Sequence, residues 1–239
     1  DYKEFYPTQI METAGEIIFF WVARMLMLGK YITGKLPFNT VYLHGLVLDA
    51  KGQKMSKSKD NVINPLDLTD KYGTDAFRMA MVVGNTPGTS LALSEDKIKA
   101  YKHFANKIWN ASRFVLEHTS DIFEVSKGTF DISDQKTIGE FKELVKDITN
   151  DMENYNFYLA AEKIYHYFWH SFADIIIEDC KNRIRENNET ESAKNLLYYL
   201  LKEQLKILHP FMPFITEKIW SLLPDSKNLL MVEKWPSHS

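Results

Sequence analysis

The sequence predicts a mixed, mostly helical chain, in which a short parallel α/β unit is followed by an antiparallel helix bundle. Two patterns and a composition carry that expectation. Residues 1 to 60 alternate between strand-like and helix-like runs, whereas from Ser94 onward apolar residues recur at spacings of three and four. Of the 239 residues 45% are hydrophobic and 13% aromatic, enough for a filled core and far from the signature of disorder.

In chain order, "FYPTQIME" reads as a strand and "EIIFFWVARMLMLGKYI", apolar on most faces, as a buried helix ending near Gly34. "TVYLHGLVLD", β-branched and aromatic, reads as the next strand. Strand, crossover helix and strand imply parallel neighbours whose ligand site lies beyond their carboxyl ends. "NPLDLTDKYGTDAFRMAMVVG" then gives two short helices broken by Gly73, and "NTPG" at 85 to 88 a turn. Ser94 is placed to cap a helix with Ile98, Tyr101, Ala105, Ile108, Trp109, Ser112 and Val115 on one face. Lys99, Lys102, Lys107, Asn110 and Arg113 fall on the remaining surface. Ser133 and Thr190 stand before two further long helical patterns, and Pro210 and Pro213 precede the last one. About five helices with short connections make an antiparallel bundle the natural packing. No internal repeat or low-complexity segment interrupts them.

A formal charge of -3 and a pI near 6.2 exclude a globally basic nucleic-acid binder, so any anion site must be local. Cys180, the single cysteine, allows no internal disulfide and no cysteine-rich zinc site; its apolar helical setting predicts a buried, inert thiol in a reducing, cytoplasmic compartment. Asp, His and Cys show no cluster at ligand spacing, so no metal site is expected. The longest apolar run is broken by Arg24 and too short for a membrane span, and no leader is evident. "DYKEFYPTQI" enters ordered-looking sequence without a cap, which points to a truncated start.

The stretch "AKGQKMSKSKDN", residues 50 to 61, gathers Lys51, Lys54, Lys57 and Lys59 after a strand. Their mutual repulsion weakens an empty loop, so the cluster makes sense if an anion neutralises it. Cations at the mouth of a parallel sheet suit a ligand whose negative charge migrates during reaction. A phosphate-binding P-loop is excluded, since the one glycine, Gly52, is misplaced for it. The competing reading is a solvated charge run.

"KMSKS" at 54 to 58 is identical to the signature loop of the class I aminoacyl-tRNA synthetases. "FFWVARM", "HGLV", "DKYGTDAFR", "GNTPG", "FANKIWNASRF" and "HPFMPFITEKIW" follow the order of the valyl-tRNA synthetase family, so the resemblance covers nearly the whole chain. It implies the C-terminal half of a Rossmann-like catalytic domain over 1–60, a stem-contact connector over 61–93 and a helical anticodon-binding domain over 94–239. It further implies ATP with magnesium, valine and tRNA(Val) as ligands. Lys57 would be the main transition-state lysine and Lys54 the second, with Met55, Ser56 and Ser58 at the nucleotide. Lys51 and Lys59 lie outside the signature and would be solvated.

His44 and Gly45 would bring backbone close to adenine and ribose; for His44 a half-buried strand residue with a satisfied ring remains the alternative. Trp21 matches the wall of the valine pocket, with core packing as its alternative. The family's Gly-Tyr-Asp before that tryptophan is here Ala14-Gly15-Glu16, in which Glu16 keeps a carboxylate for the ribose and Ala14 stands where the family has the glycine of close approach. Trp109 and Arg113 read as packing residues, and no residue is assigned to the anticodon. The family's His-x-Gly-His tetrapeptide does not occur in the chain. Its editing insertion and C-terminal coiled coil are also missing, so the N-terminal half of the synthetase becomes an expected partner and the chain alone is expected to be inactive. A stand-alone tRNA-binding module without chemistry and a purely structural helical domain are the competing functions.

Overall fold

Alternating polar and β-branched residues let Thr8–Ala14 (β1) and Phe38–His44 (β2) extend side by side, and they pair in parallel from Thr8 opposite Phe38 to Ala14 opposite His44. The computed structural model describes residues 1–49, 51–56, 61–120, 130–187 and 190–236. A helical turn, α1 (Tyr2–Phe5), precedes β1. The crossover runs through a 3-10 turn at Gly15–Ile17 and a wide π turn at Ile18–Val22 into α2 (Ala23–Thr33). Gly34 stops α2 in the left-handed region, at φ 73°, its amide closing on the Lys30 carbonyl. A second parallel pair joins β3 (Val47–Leu48) to β4 (Leu91–Ala92).

One expectation fails here. The apolar crossover helix is not buried: of its π turn and α2 only Val22 is enclosed, while Phe19, Trp21 and Tyr31 are 77%, 56% and 88% exposed. A two-stranded sheet offers too little surface to cover a helix that is apolar all round.

The chain divides into two compact units, one comprising Asp1–Ile63 with Asn85–Ser94 and the other Asn64–Gly84 with Glu95–Ser239. In the second unit the Asn64 side chain accepts the Leu66 amide and Pro65 occupies the first turn, which starts α3 (Pro65–Tyr72). Gly73, at φ 94°, separates it from α4 (Thr74–Val82). The long helices are α5 (Glu95–His118), α6 (Ile132–Glu153) and α9 (Thr190–Leu208). Between the last two, α7 (Phe157–His166) continues through wide π turns at Tyr167–Ile176 into α8 (Ile177–Arg185), and α10 (Pro213–Trp220) follows α9.

These helices enclose one contiguous core, with Phe104, Ile108, Phe141, Phe168, Phe172, Leu197 and Leu201 at its centre. On α5 the enclosed positions are Ile98, Phe104, Ile108, Ala111, Ser112 and Val115; Trp109, placed on that face by the sequence, is 40% exposed. Cys180 is buried as expected, and burial pushes its thiol up to about 12, which keeps it protonated and inert.

The start of α6 also departs from expectation. Asp131 rather than Ser133 is the cap, its Oδ1 accepting the Asp134 amide at 2.7 Å, and Ser133 lies inside the helix with its hydroxyl donating to Asp131. Asp131 can do more than cap because Arg183 from α8 reaches it at 3.0 Å and donates to both oxygens of the buried Asp134 at 2.8 Å. Ser192 of α9 donates to Asp134 as well, so three helices meet in one charged knot. Elsewhere in this unit the buried Asp75 accepts the Phe214 and Ile215 amides and caps α10, while Arg78 donates to the Pro210 and Phe211 carbonyls just before it.

Candidate active-site loop

β2 ends at His44 and β3 at Leu48, so the residues that follow leave from the carboxyl ends of parallel strands. The chain turns at once. Asp49 and Gln53 close a turn through the Asp49 amide on the Gln53 carbonyl at 2.9 Å, Gly52 adopts φ 74°, and Lys54 bridges back to Leu48. The Asp49 carboxylate organises it: Oδ1 accepts the Lys51 and Gln53 amides at 2.9 and 2.8 Å, and Oδ2 accepts the Asn61 side-chain amide at 2.8 Å. Those hydrogen bonds, from Gln53 first and then Asn61, hold the Asp49 carboxyl below its usual range. Asn61 in turn accepts the Ser56 amide at 2.9 Å and donates to the Lys54 carbonyl at 3.4 Å. The sequence reading missed both residues, although an Asp before Gly52 and an Asn closing the basic run are the types that bond to nearby backbone.

Lys54 points across the strand ends to Glu16, its Nζ 3.1 and 3.3 Å from the two carboxylate oxygens. Both side chains are more than half exposed, so the pair is weak and a more highly charged anion can displace it. Met55 and Ser56 are half-buried and Lys51 is exposed. Lys57, Ser58 and Lys59 lie outside the described residues. His44 is exposed; its Nδ1–H donates to the Gly45 carbonyl at 2.9 Å, and its Nε2 lies 3.6 Å from a Glu12 carboxylate oxygen.

Gly45 has a neighbour the sequence did not disclose. A Cβ there would lie 1.7 Å from the Thr89 carbonyl oxygen, so the "NTPG" turn sits directly on the end of β2. The Gly88 amide donates to Leu43, and the Leu91 and Leu93 amides donate to Leu46 and Leu48. Glu16, Lys54, His44 and Gly45 thus gather at one end of the two parallel pairs. Trp21, in the crossover, is exposed and not part of a core.

Among the described residues no group of three His, Cys, Asp or Glu side chains could hold a metal ion, and no helix is long and apolar enough to cross a membrane. On α5, Lys102 donates to the Lys71 carbonyl, Lys107 pairs with Asp174 at 2.6 Å and Arg113 with Glu117 at 3.7 Å, while Lys99 is exposed.

Residues 1–94 match the family model for class I tRNA synthetases of the isoleucine, leucine, methionine and valine group, and residues 134–239 match that for the anticodon-binding domain of tRNA ligases. The chain belongs to the class I tRNA synthetases. It contains the C-terminal part of the synthetase catalytic region and an anticodon-binding domain. Similar sequences include the valine–tRNA ligases of Thermotoga maritima, 42% identical over 99% of this chain and 27% of that enzyme, and of Dehalococcoides mccartyi, 44% identical over 93% and 25%. This synthetase chain therefore spans about a quarter of the length of the curated relatives it matches.

Its fold is shared with a leucyl-tRNA synthetase of Agrobacterium radiobacter, solved as a ternary complex with tRNA, at a TM-score of 0.79 and 20% identity over 97% of this chain and 28% of that one. It is shared too with methionyl-tRNA synthetase of Mycobacterium tuberculosis bound to methionyl-adenylate, at 0.74 and 20% over 91% and 44%.

Proposed function

We propose that this chain is the signature-loop and anticodon-domain portion of a valine–tRNA ligase, whose complete form activates valine with ATP and transfers it to the 3′ end of tRNA(Val). The observation that carries the reading is Lys54, held by the folded-back loop at the carboxyl ends of parallel strands with a displaceable carboxylate as its partner. Identity of about 40% to valine–tRNA ligases along the length of the chain supports valine as the amino acid.

In the activation step the valine carboxylate attacks the α-phosphorus, the bond to the bridging oxygen breaks, and its electron pair leaves on pyrophosphate. Charge therefore accumulates where Lys54 and Lys57 are assigned, and cations fixed there stabilise the transition state more than the ground state. Magnesium would arrive on the phosphates, which supply oxygen ligands of the kind it prefers. Glu16 exchanges its bond with Lys54 for the ribose hydroxyls as ATP enters, and Trp21 walls the valine side chain. The exposed apolar faces of the crossover helix fit a catalytic domain completed by residues outside this chain. The connector over 61–93 contacts the tRNA stem, and the α5 surface, Lys99 included, faces RNA backbone.

The test is valine-dependent ATP–pyrophosphate exchange by the complete enzyme. Lys57→Ala should lower the rate by about two decades, the effect of removing one transition-state contact worth ~3 kcal/mol, with little change in ATP binding. An unchanged rate overturns the assignment. The chain alone should not charge tRNA, and if it did, its dependence on a missing half would be wrong.

A further inference from the structure

We infer that Asp49 and Asn61 act together as a positioning clamp, which fixes the backbone of the basic loop around Lys54 and thereby sets where that lysine meets the phosphates of ATP. The inference rests on the reading of the loop as the ATP-activating element and goes beyond it in naming residues outside the signature.

A turn-closing aspartate would need only one oxygen. Here Oδ1 closes the turn on the Lys51 and Gln53 amides, and Oδ2 is left to accept Asn61 Nδ2 at 2.8 Å. The carboxamide of Asn61 then presents a donor and an acceptor at once, its Nδ2 to Asp49 and to the Lys54 carbonyl, its Oδ1 to the Ser56 amide. The backbone on both sides of Met55 is therefore tied to one side chain, and that side chain to the end of the strand pair. Lys54 is left with its backbone fixed and its ammonium shared with exposed Glu16. A cation helps a reaction of developing charge only if it is already in place, since reorganising it during the step forfeits the advantage.

The polarity of the pair supplies a stringent test. Asn61→Asp sets two carboxylates face to face across a 2.8 Å contact, and Asp49→Asn sets two NH2 groups face to face. The reciprocal variant Asp49→Asn/Asn61→Asp restores donor to acceptor between the two side chains and keeps acceptors for the Lys51, Gln53 and Ser56 amides, while the Lys54 carbonyl loses its 3.4 Å donor. Two measurements are made on all four proteins: amide hydrogen exchange of residues 51–56 in this chain, and valine-dependent ATP–pyrophosphate exchange in the complete enzyme.

Each single variant should speed exchange at Gln53 and Ser56 by about tenfold or more. Each should also lower kcat by about 10- to 100-fold while KM for ATP moves by less than about threefold, the pattern of a contact that matters in the transition state. The reciprocal variant should recover part of both, more than either single, the shortfall being the lost bond to the Lys54 carbonyl. Unchanged amide protection in the singles overturns the clamp. So does a reciprocal variant no better than the worse single, or loss of amide protection with kcat unaltered. If instead the wild-type enzyme shows no valine-dependent exchange, the activation reading itself fails, and the amide measurements still decide whether the clamp exists.

Discussion

Gly45→Ala separates two readings of one residue. The family resemblance implies that Gly45 lies beside the nucleotide, and in the structure its missing side chain makes room for protein: a Cβ would stand 1.7 Å from the Thr89 oxygen, 2.2 Å from the Thr89 carbonyl carbon and 2.7 Å from the Ser90 nitrogen. All three atoms are backbone, so no rotamer change relieves the clash. Ordinary contact begins near 3.4 Å, so the 85–93 segment must withdraw by roughly 1.5 Å.

That movement breaks the bonds from Gly88 to Leu43, Leu91 to Leu46 and Leu93 to Leu48, now at 2.8, 2.9 and 3.0 Å. At about 1 kcal/mol net for each, the loss is ~3 kcal/mol, or about a hundredfold in the population of the opened segment. Amide exchange of Gly88, Leu91 and Leu93 in the Gly45→Ala chain measures it, with no nucleotide present. Protection equal to wild type would refute the packing argument.

Arg183→Met should cost the helical unit about 3–5 kcal/mol, since it strands the buried Asp134, and should lower Tm by about 10 °C; Arg183→Met/Asp134→Leu should recover much of that in urea titrations. Burial holds the His209 imidazole below its usual 6.5, against opposing pulls from Glu217 and Asp75 and with Arg78 adding to the depression. The folded state therefore takes up its proton less readily than the unfolded chain, and the His209 contribution to stability is present above about pH 6.5 and lost below it. Thermal melts at pH 7.5 and 5.5 should differ less in His209→Gln than in wild type, and equal differences would reject the assignment. Binding of tRNA(Val) to this chain should weaken with salt, each lost phosphate contact reducing the slope of log K against log salt by about 0.9 in a duplex stem, so Lys99→Ala should flatten it; a salt-independent constant would count against the α5 surface as an RNA face.

How much of this was legible depended on whether the signal was local. The β1–crossover–β2 order and the Gly73 break could be read because strand alternation, helical spacing and a positive-φ glycine are each written within a few residues. The basic loop at a strand end was legible for the same reason. What escaped was set by residues far apart in the chain. Asp131 outcompeted Ser133 as the cap because Arg183, some fifty positions away, reaches it as well. The burial of the crossover helix failed because apolarity says what a surface would prefer to touch and not whether anything is there. Gly45 was placed at the nucleotide by the family resemblance, and nothing near it in the sequence names Thr89 as the backbone packed against it.

The path of the chain between its units constrains how the protein can be cut. Residues 85–94 return to the strand unit after the chain has already built α3 and α4 of the helical one. A stop codon at residue 63 would thus leave β3 without β4 and Gly45 without its lid of backbone. Any attempt to graft the catalytic portion onto another scaffold must either carry residues through 94 or supply the β4 strand in trans.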